Sequence, residues 1–297
     1  MNPTLATCLP LASAFGYAVA ALILKRATEG GAGPWRIGFV VNLVMALLFQ
    51  CFWFFSPGGR PIELLDVGYA CLVGAIFFTG QFFTFLALSK GDVSVTTPVL
   101  GAKVLFVAFF AALILHQPLD SSLWIATIMT CVAMALLGGE WRTDRERVLP
   151  SLVYGGLSAL SFATSDILLK NWVGGIGMTR FAPITFGSMA VYSLLLRGRF
   201  SAPLSALGTR TLAWAMAGGA LLWLQCAGMV LAISLANEVT RTNILYNTRG
   251  IWSVLLVWAI GPWFGNQERT VGRKIMFLRL LGAILLLAAV FLAPSRN

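Results

Sequence analysis

The sequence predicts an all-α integral membrane protein with ten transmembrane helices arranged as two inverted five-helix repeats. Composition, a series of apolar runs of spanning length, and a similarity between the two halves of the chain predict it. Of 297 residues, 58% are hydrophobic and only 11% are charged, with a mean hydropathy of +0.84. Soluble domains carry about a quarter charged residues, so no soluble core could absorb these runs. A net charge of +10 would suggest nucleic acid in a soluble protein. Here Lys and Arg flank apolar runs, and no basic cluster is interleaved with exposed aromatics. Nucleic acid is excluded, and the lipid bilayer is the partner the charge fits.

A spanning helix needs about 20 mostly apolar residues. Ten stretches qualify: 5–24, 34–55, 64–88, 94–116, 122–139, 152–169, 178–196, 211–235, 239–264 and 275–292. The first lacks the basic leader of a cleaved signal peptide, so it is expected to persist as a helix. Connections are short and punctuated by Gly, Pro or charge, as in GGAGP and SPGGRP. A charged linker at 141–150 separates a first unit, 1–140, from a second, 151–297.

A shift of about 145 residues lays ASAFGYAVAALILK onto LSALSFATSDILLK, with Ser13 on Ser158, Tyr17 on Phe162 and Lys25 on Lys170. The same shift puts Gly74 on Gly219 and Ser89 on Ser234; one further inserted residue puts Lys103 on Arg249. Five helices per unit is an odd number, so the second copy enters the membrane inverted. Inverted repeats build transporters whose substrate sits near the midplane, between the halves.

The chain also resembles a known group. Five plus five helices, ALSKGDVSVTTPV ahead of the fourth and a Gly-bearing tenth (LRLLGAILLLAAVFL) are similar to the drug/metabolite transporter superfamily, EamA-type. The resemblance implies a central pathway lined by helices 4 and 9. Relatives that carry sugar phosphates or nucleotide sugars use basic residues there to meet the phosphate, which by resemblance assigns that role to Lys103 and Arg249. Many EamA-type sequences have a Gly-Glu pair after helix 4, where this chain reads His116-Gln117-Pro118.

Residue chemistry points the same way. Thr242, Tyr246, Arg249 and Ser253 recur at i, i+4, i+7 and i+11, one polar stripe on a continuous helix. A guanidinium at membrane depth faces the protein interior, a water-filled cavity or an anion. Snorkelling or a structural ion pair is the bland alternative. Lys103 offers a compact charge and Arg249 a planar fork, so together they favour an anionic or zwitterionic substrate. Asn243, Tyr246 and Asn247 lie within two turns of Arg249 and are assigned to the remainder of the substrate. Asp166, the one acid deep within a predicted span, is expected to pair with Lys103 or Arg249 when substrate is absent, or to bind a coupling proton; a structural ion pair is the alternative. Asn42, Gln81, Thr84 and Gln225 could hydrogen-bond substrate, but singly such residues more often join helices. Of the crowded Phe77, Phe78, Phe82, Phe83 and Phe85, most are expected to pack or to face lipid.

No catalytic constellation or phosphate-binding loop is present, so neither an enzyme nor ATP-driven transport is expected. Five cysteines without CxxC spacing and a single His116 imply no disulfide framework, metal or cofactor. Most Lys and Arg fall in the odd-numbered connections, from Lys25 and Arg26 to Arg273 and Lys274. Charge bias therefore places both termini outside, whereas the resemblance implies both inside. The expected protein is a multi-pass transporter of the bacterial inner membrane, driven by a gradient or by exchange and working by alternating access. A monomer is sufficient for this and a homodimer compatible with it. The rivals are an exporter of amino acids or apolar drug-like compounds, and a membrane scaffold or lipid-handling protein.

Overall fold

The computed structural model describes residues 3–56, 60–90, 93–118, 120–138, 145–260 and 273–293. Among them every regular element is helical. The helices are α1 (Pro3–Ala27), α2 (Gly33–Gln50), α3 (Leu64–Lys90), α4 (Val93–Gly101), α5 (Lys103–Ile114) and α6 (Ser121–Gly138). They continue with α7 (Arg145–Ile176), α8 (Met178–Tyr192), α9 (Thr209–Leu235), α10 (Val239–Tyr246), α11 (Arg249–Ile260) and α12 (Arg273–Leu292). A π turn, Thr28–Ala32, leads into α2; 3-10 turns, Cys51–Phe55 and Ser193–Arg199, extend α2 and α8.

Eight helical stretches are long and apolar enough to cross a membrane, with α4 and α5 counted together as Val95–Ile114. The other two predicted spans, 178–196 and 239–264, are broken into shorter pieces, and 261–264 lie outside the described residues. α7 begins at Arg145, so the end of the predicted charged linker is already helical.

Local chemistry fixes the ends. Pro34 stands in the first turn of α2, where a missing N–H costs nothing. Asp120 accepts from the Leu123 N–H at 3.1 Å and caps α6. Gly177 takes φ 80° to turn α7 into α8, a conformation open to glycine without a Cβ penalty. His116 also has positive φ, 51°, while the Gln117 N–H donates to Ala111 O at 3.1 Å. The helix therefore stops with histidine in the positive-φ position that glycine prefers. The departure His116-Gln117 thus falls at the helix terminator.

The helices pack in pairs: α1 on α9, α3 on α7, α2 on α8 and α6 on α12. Small residues allow the close approaches. Gly16 meets the side chain of Gln225, and Ser158 donates from its hydroxyl to Gly80 O at 2.8 Å, α7 to α3. The main core includes Phe49, Phe181, Phe186, Ile167 and Met189. Phe49 and Phe186 stack at 4.0 Å. The outer surface is apolar too, with Leu47, Leu113, Leu195 and Phe291 exposed, as suits helices solvated by lipid.

The central helices are not continuous. α4 ends at Gly101 and α5 starts at Lys103, three and five residues past Pro98, whose ring and missing N–H weaken the turn before it. α10 ends at Tyr246 and α11 starts at Arg249. Both breaks are tightened turns: Leu105 N donates to Ala102 O, and Thr248 N to Leu245 O, each three residues back. The breaks touch, since the Asn247 Nδ2 donates to Gly101 O at 3.4 Å. Gly101 is required here, because a Cβ would come within 2.6 Å of the Met134 Cβ.

The single stripe expected from Thr242 to Ser253 is therefore corrected. The tightened turn shifts the phase, and only its middle members, Tyr246 and Arg249, reach the central cavity. Thr242 instead donates to Glu238 O at 3.2 Å.

Candidate functional site

A cavity of about 360 Å³ lies between α1, α2, α3, α7, α8 and α9 and is closed on one flank by the two breaks. That size suits a small molecule. Lys103 and Arg249, each the first residue of the helix beyond a break, both line it. So do Asp166 from α7 and Tyr246 from α10.

The two cations are housed differently. Lys103 Nζ is 2.6 Å from Asp166 Oδ2, with side-chain exposures of 14% and 12%. Arg249 has no carboxylate within 4.0 Å among the described residues. Its guanidinium carbon lies 4.8 Å from the ring centroids of both Tyr17 and Tyr246. Cation–π attraction of about 2 kcal/mol or more per desolvated ring steadies the charge without cancelling it. Tyr246 is fixed in turn, its hydroxyl donating to Gln225 Oε1 at 2.9 Å. The Lys103–Asp166 pair is neutral, and the cavity carries the one remaining positive charge of Arg249.

Of the residues predicted from sequence, Lys103, Asp166, Tyr246 and Arg249 come together at the cavity. Asn243 and Asn247 do not line it. Both are buried; the Asn243 amide donates to Val239 O at 3.2 Å and the Asn247 amide to Gly101 O, in the wall behind. Asn42, Gln81, Thr84 and Gln225 do line it. Thr84 also bonds the Ser158 hydroxyl at 2.7 Å. Of the α3 phenylalanines, Phe77 and Phe85 face the cavity; Phe82 packs on Trp35, and Phe83 on Tyr154. Tyr17 was not singled out as a site residue. The signal was present: its repeat-related position is Phe162, and both aromatics line the cavity.

Away from the cavity lining, Arg60 meets Asp66 at 2.6 Å and Gly175 O at 3.0 Å, and Arg180 donates to Arg60 O at 2.9 Å. The hydrogen bond with Asp66 raises the Arg60 pKa above its already high value, so this tie does not titrate from the arginine side. Elsewhere Lys170 donates to Ser234 O at 3.0 Å, joining α7 to α9. Among the described residues no three His, Cys, Asp or Glu side chains are grouped to hold a metal.

Residues 4–139 match the family model of the EamA-like transporter family. The chain carries an EamA-like transporter unit. The match covers the first half of the chain, which is thus similar to that family, and the helical stretches of spanning length fit a multi-pass membrane protein. No curated protein sequence matches it. Among solved structures, 29 chains match its fold. One crystal structure superposes with a TM-score of 0.78 at 14% identity, covering 97% of each chain, which establishes a shared fold and nothing of substrate.

Proposed function

We propose that this EamA-like chain is a secondary transporter that moves a small polar metabolite, anionic or zwitterionic, across the bacterial inner membrane by alternating access. The observation that carries the reading is the uncancelled charge of Arg249 inside a mostly apolar cavity. A buried charge without a counter-ion is costly, and a bound anion supplies the counter-ion. The substrate's negative group meets Arg249 and competes with Asp166 for Lys103. On release Asp166 returns to Lys103, so neither side chain is left unpaired in the empty site.

Packing supports ten crossings as two inverted repeats. With α4–α5 and α10–α11 each taken as one crossing, the first helix packs on the eighth and the third on the sixth. The second and seventh pack together, as do the fifth and tenth. Exchanging the two halves maps each of these pairings onto another or onto itself, which is what a pseudo-two-fold axis requires. The whole cavity lies within one chain, so a monomer suffices, and a homodimer would leave it intact.

The test is thermal stabilisation of the purified protein across a metabolite panel, repeated with Arg249→Gln. A ligand that binds only the folded state raises apparent stability with its concentration and affinity. Anions or zwitterions are expected to stabilise the wild type, and the shift to vanish in the folded variant. Survival of the same shift in the variant makes Arg249 structural. A second reading, an exporter of amino acids or apolar compounds, draws on the aromatic wall of Phe77, Phe85, Phe162 and Phe186. It predicts that Arg249→Gln spares transport in proteoliposomes.

A further inference from the structure

The cavity has unused hydrogen-bonding capacity on the walls formed by α2, α3 and α8. Asn42 on α2 is fully buried, lines the cavity, and has no partner for either Nδ2 or Oδ1. Gln81 on α3 leaves Oε1 unpaired, and Thr185 on α8 leaves its hydroxyl unpaired; both residues line the same cavity. α2 and α3 are consecutive crossings and run in opposite directions. Gly38 packs against the ring of Phe85, so one turn further along α2 and one turn back along α3 bring Asn42 and Gln81 to like depth. Orphaned buried polar groups destabilise a fold and are rare in native structures unless something completes them.

We propose that Asn42, with Gln81 and Thr185, forms a neutral subsite for an uncharged hydroxyl or carboxamide on the transported anion. The inference rests on the anion site proposed above and narrows its substrate class. The unpaired atoms comprise one amide donor, two amide acceptors and a hydroxyl that does either. A hydroxyl or a carboxamide both donates and accepts, so it can answer both kinds. An ammonium group only donates; it would satisfy the acceptors and leave Asn42 Nδ2 facing another donor. A plain carboxylic acid would satisfy none of them. Sites built to hydrogen-bond a group discriminate strongly against analogues lacking it, because the protein's own groups are then left unpaired.

The test uses the full-length purified protein with straight-chain acids of three to six carbons. Each length is compared as the plain acid, the ω-hydroxy acid, the ω-carboxamide and the ω-amino acid, reading apparent affinity from thermal stabilisation. For the wild type, a hydroxy or carboxamide acid is expected to bind at least about tenfold more tightly than its plain counterpart. Asn42→Leu is expected to melt higher than wild type without ligand, keep its affinity for the plain acid, and lose the preference. Gln81→Leu is expected to reduce the preference and supplies the reading if Asn42→Leu does not fold. A preference retained by the variants overturns the subsite. Plain acids bound as tightly as hydroxy acids by wild type overturn the subsite and leave the anion site standing. Failure of every acid to stabilise wild type overturns the anion site and this inference with it.

Discussion

Lys103 and Arg249 each stand at the first position of a helix beyond a break, yet one is neutralised and the other is not. Lys103 is a compact ammonium held by a single carboxylate at 2.6 Å. In the proposed cycle an arriving anion displaces this contact, which re-forms when the anion leaves. Arg249 is delocalised, always charged, and steadied by Tyr17 and Tyr246. The rings lie against the guanidinium and Tyr246 also hydrogen-bonds it, which leaves the other N–H donors of its fork suited to a carboxylate or phosphate. The difference suggests a division of labour, with Arg249 as the constant anchor and Lys103 as the exchangeable contact. Equal cations at both breaks would have given a site too positive to stay empty.

The largest effect is expected from removing the acid that makes the two breaks unequal. Asp166→Asn leaves Lys103 without a counter-charge and gives the cavity two uncancelled cations. Breaking a fully buried pair costs about 3–5 kcal/mol; both side chains here border a cavity, so a loss of roughly 2 kcal/mol is expected. Anion affinity should move the other way, tighter by about tenfold, because a second unit charge acts on the ligand in a low-dielectric site. Turnover in proteoliposomes should fall, since Asp166 no longer displaces the bound anion. Chemical or thermal melts and ligand titrations of one preparation read both changes. A variant that loses stability and also anion affinity would show that Asp166 acts on substrate directly, and the division of labour would fail.

A middling effect is expected at Tyr17. Tyr17→Leu removes one aromatic face from Arg249 and should weaken anion binding by about 1–2 kcal/mol through a less well-held guanidinium. Tyr17→Phe keeps the ring and should stay within about 0.5 kcal/mol of wild type, because the Tyr17 hydroxyl makes no hydrogen bond among the described residues. Titration of both variants against the same anion separates the ring from the hydroxyl. Equal loss in Phe and Leu variants would move the function of Tyr17 from its ring to its oxygen.

Much of this architecture was legible in the sequence, and the reasons are physical. Apolar runs of spanning length stand out because lipid tolerates nothing else, so the ends of α1, α3, α9 and α12 fall within a few residues of expectation. Lys103, Asp166 and Arg249 stood out because charge at that depth is rare. The break after Tyr246 was not legible: the sequence around Asn247 has no proline, and the tightening depends on contacts with Gly101, 146 residues away. The roles of Asn243 and Asn247 were hidden for the same reason. An amide near a buried arginine reads alike whether it faces the cavity or a carbonyl behind it. Tyr17 was overlooked because an aromatic on an apolar helix is ordinary until its neighbour is known to be a cation.

The smallest effect is expected at Asn247, and it bears on how the two breaks are joined. Its amide donates to Gly101 O at 3.4 Å, a long bond between the turn before Arg249 and the end of α4. Asn247→Ala removes that tie, and a bond of this length should contribute about 0.5 kcal/mol, toward the low end for a buried hydrogen bond. Anion affinity should change little, since Asn247 is not among the cavity-lining residues. A readout beyond stability is the rate at which a cysteine placed in the cavity reacts with a water-soluble maleimide. If the amide holds the breaks together, Asn247→Ala speeds that reaction several-fold while equilibrium affinity stays within about twofold. If instead affinity collapses with stability intact, Asn247 touches the substrate in the transporting state. The wall and the site would then exchange residues as the protein turns over, and the two breaks would be one moving element.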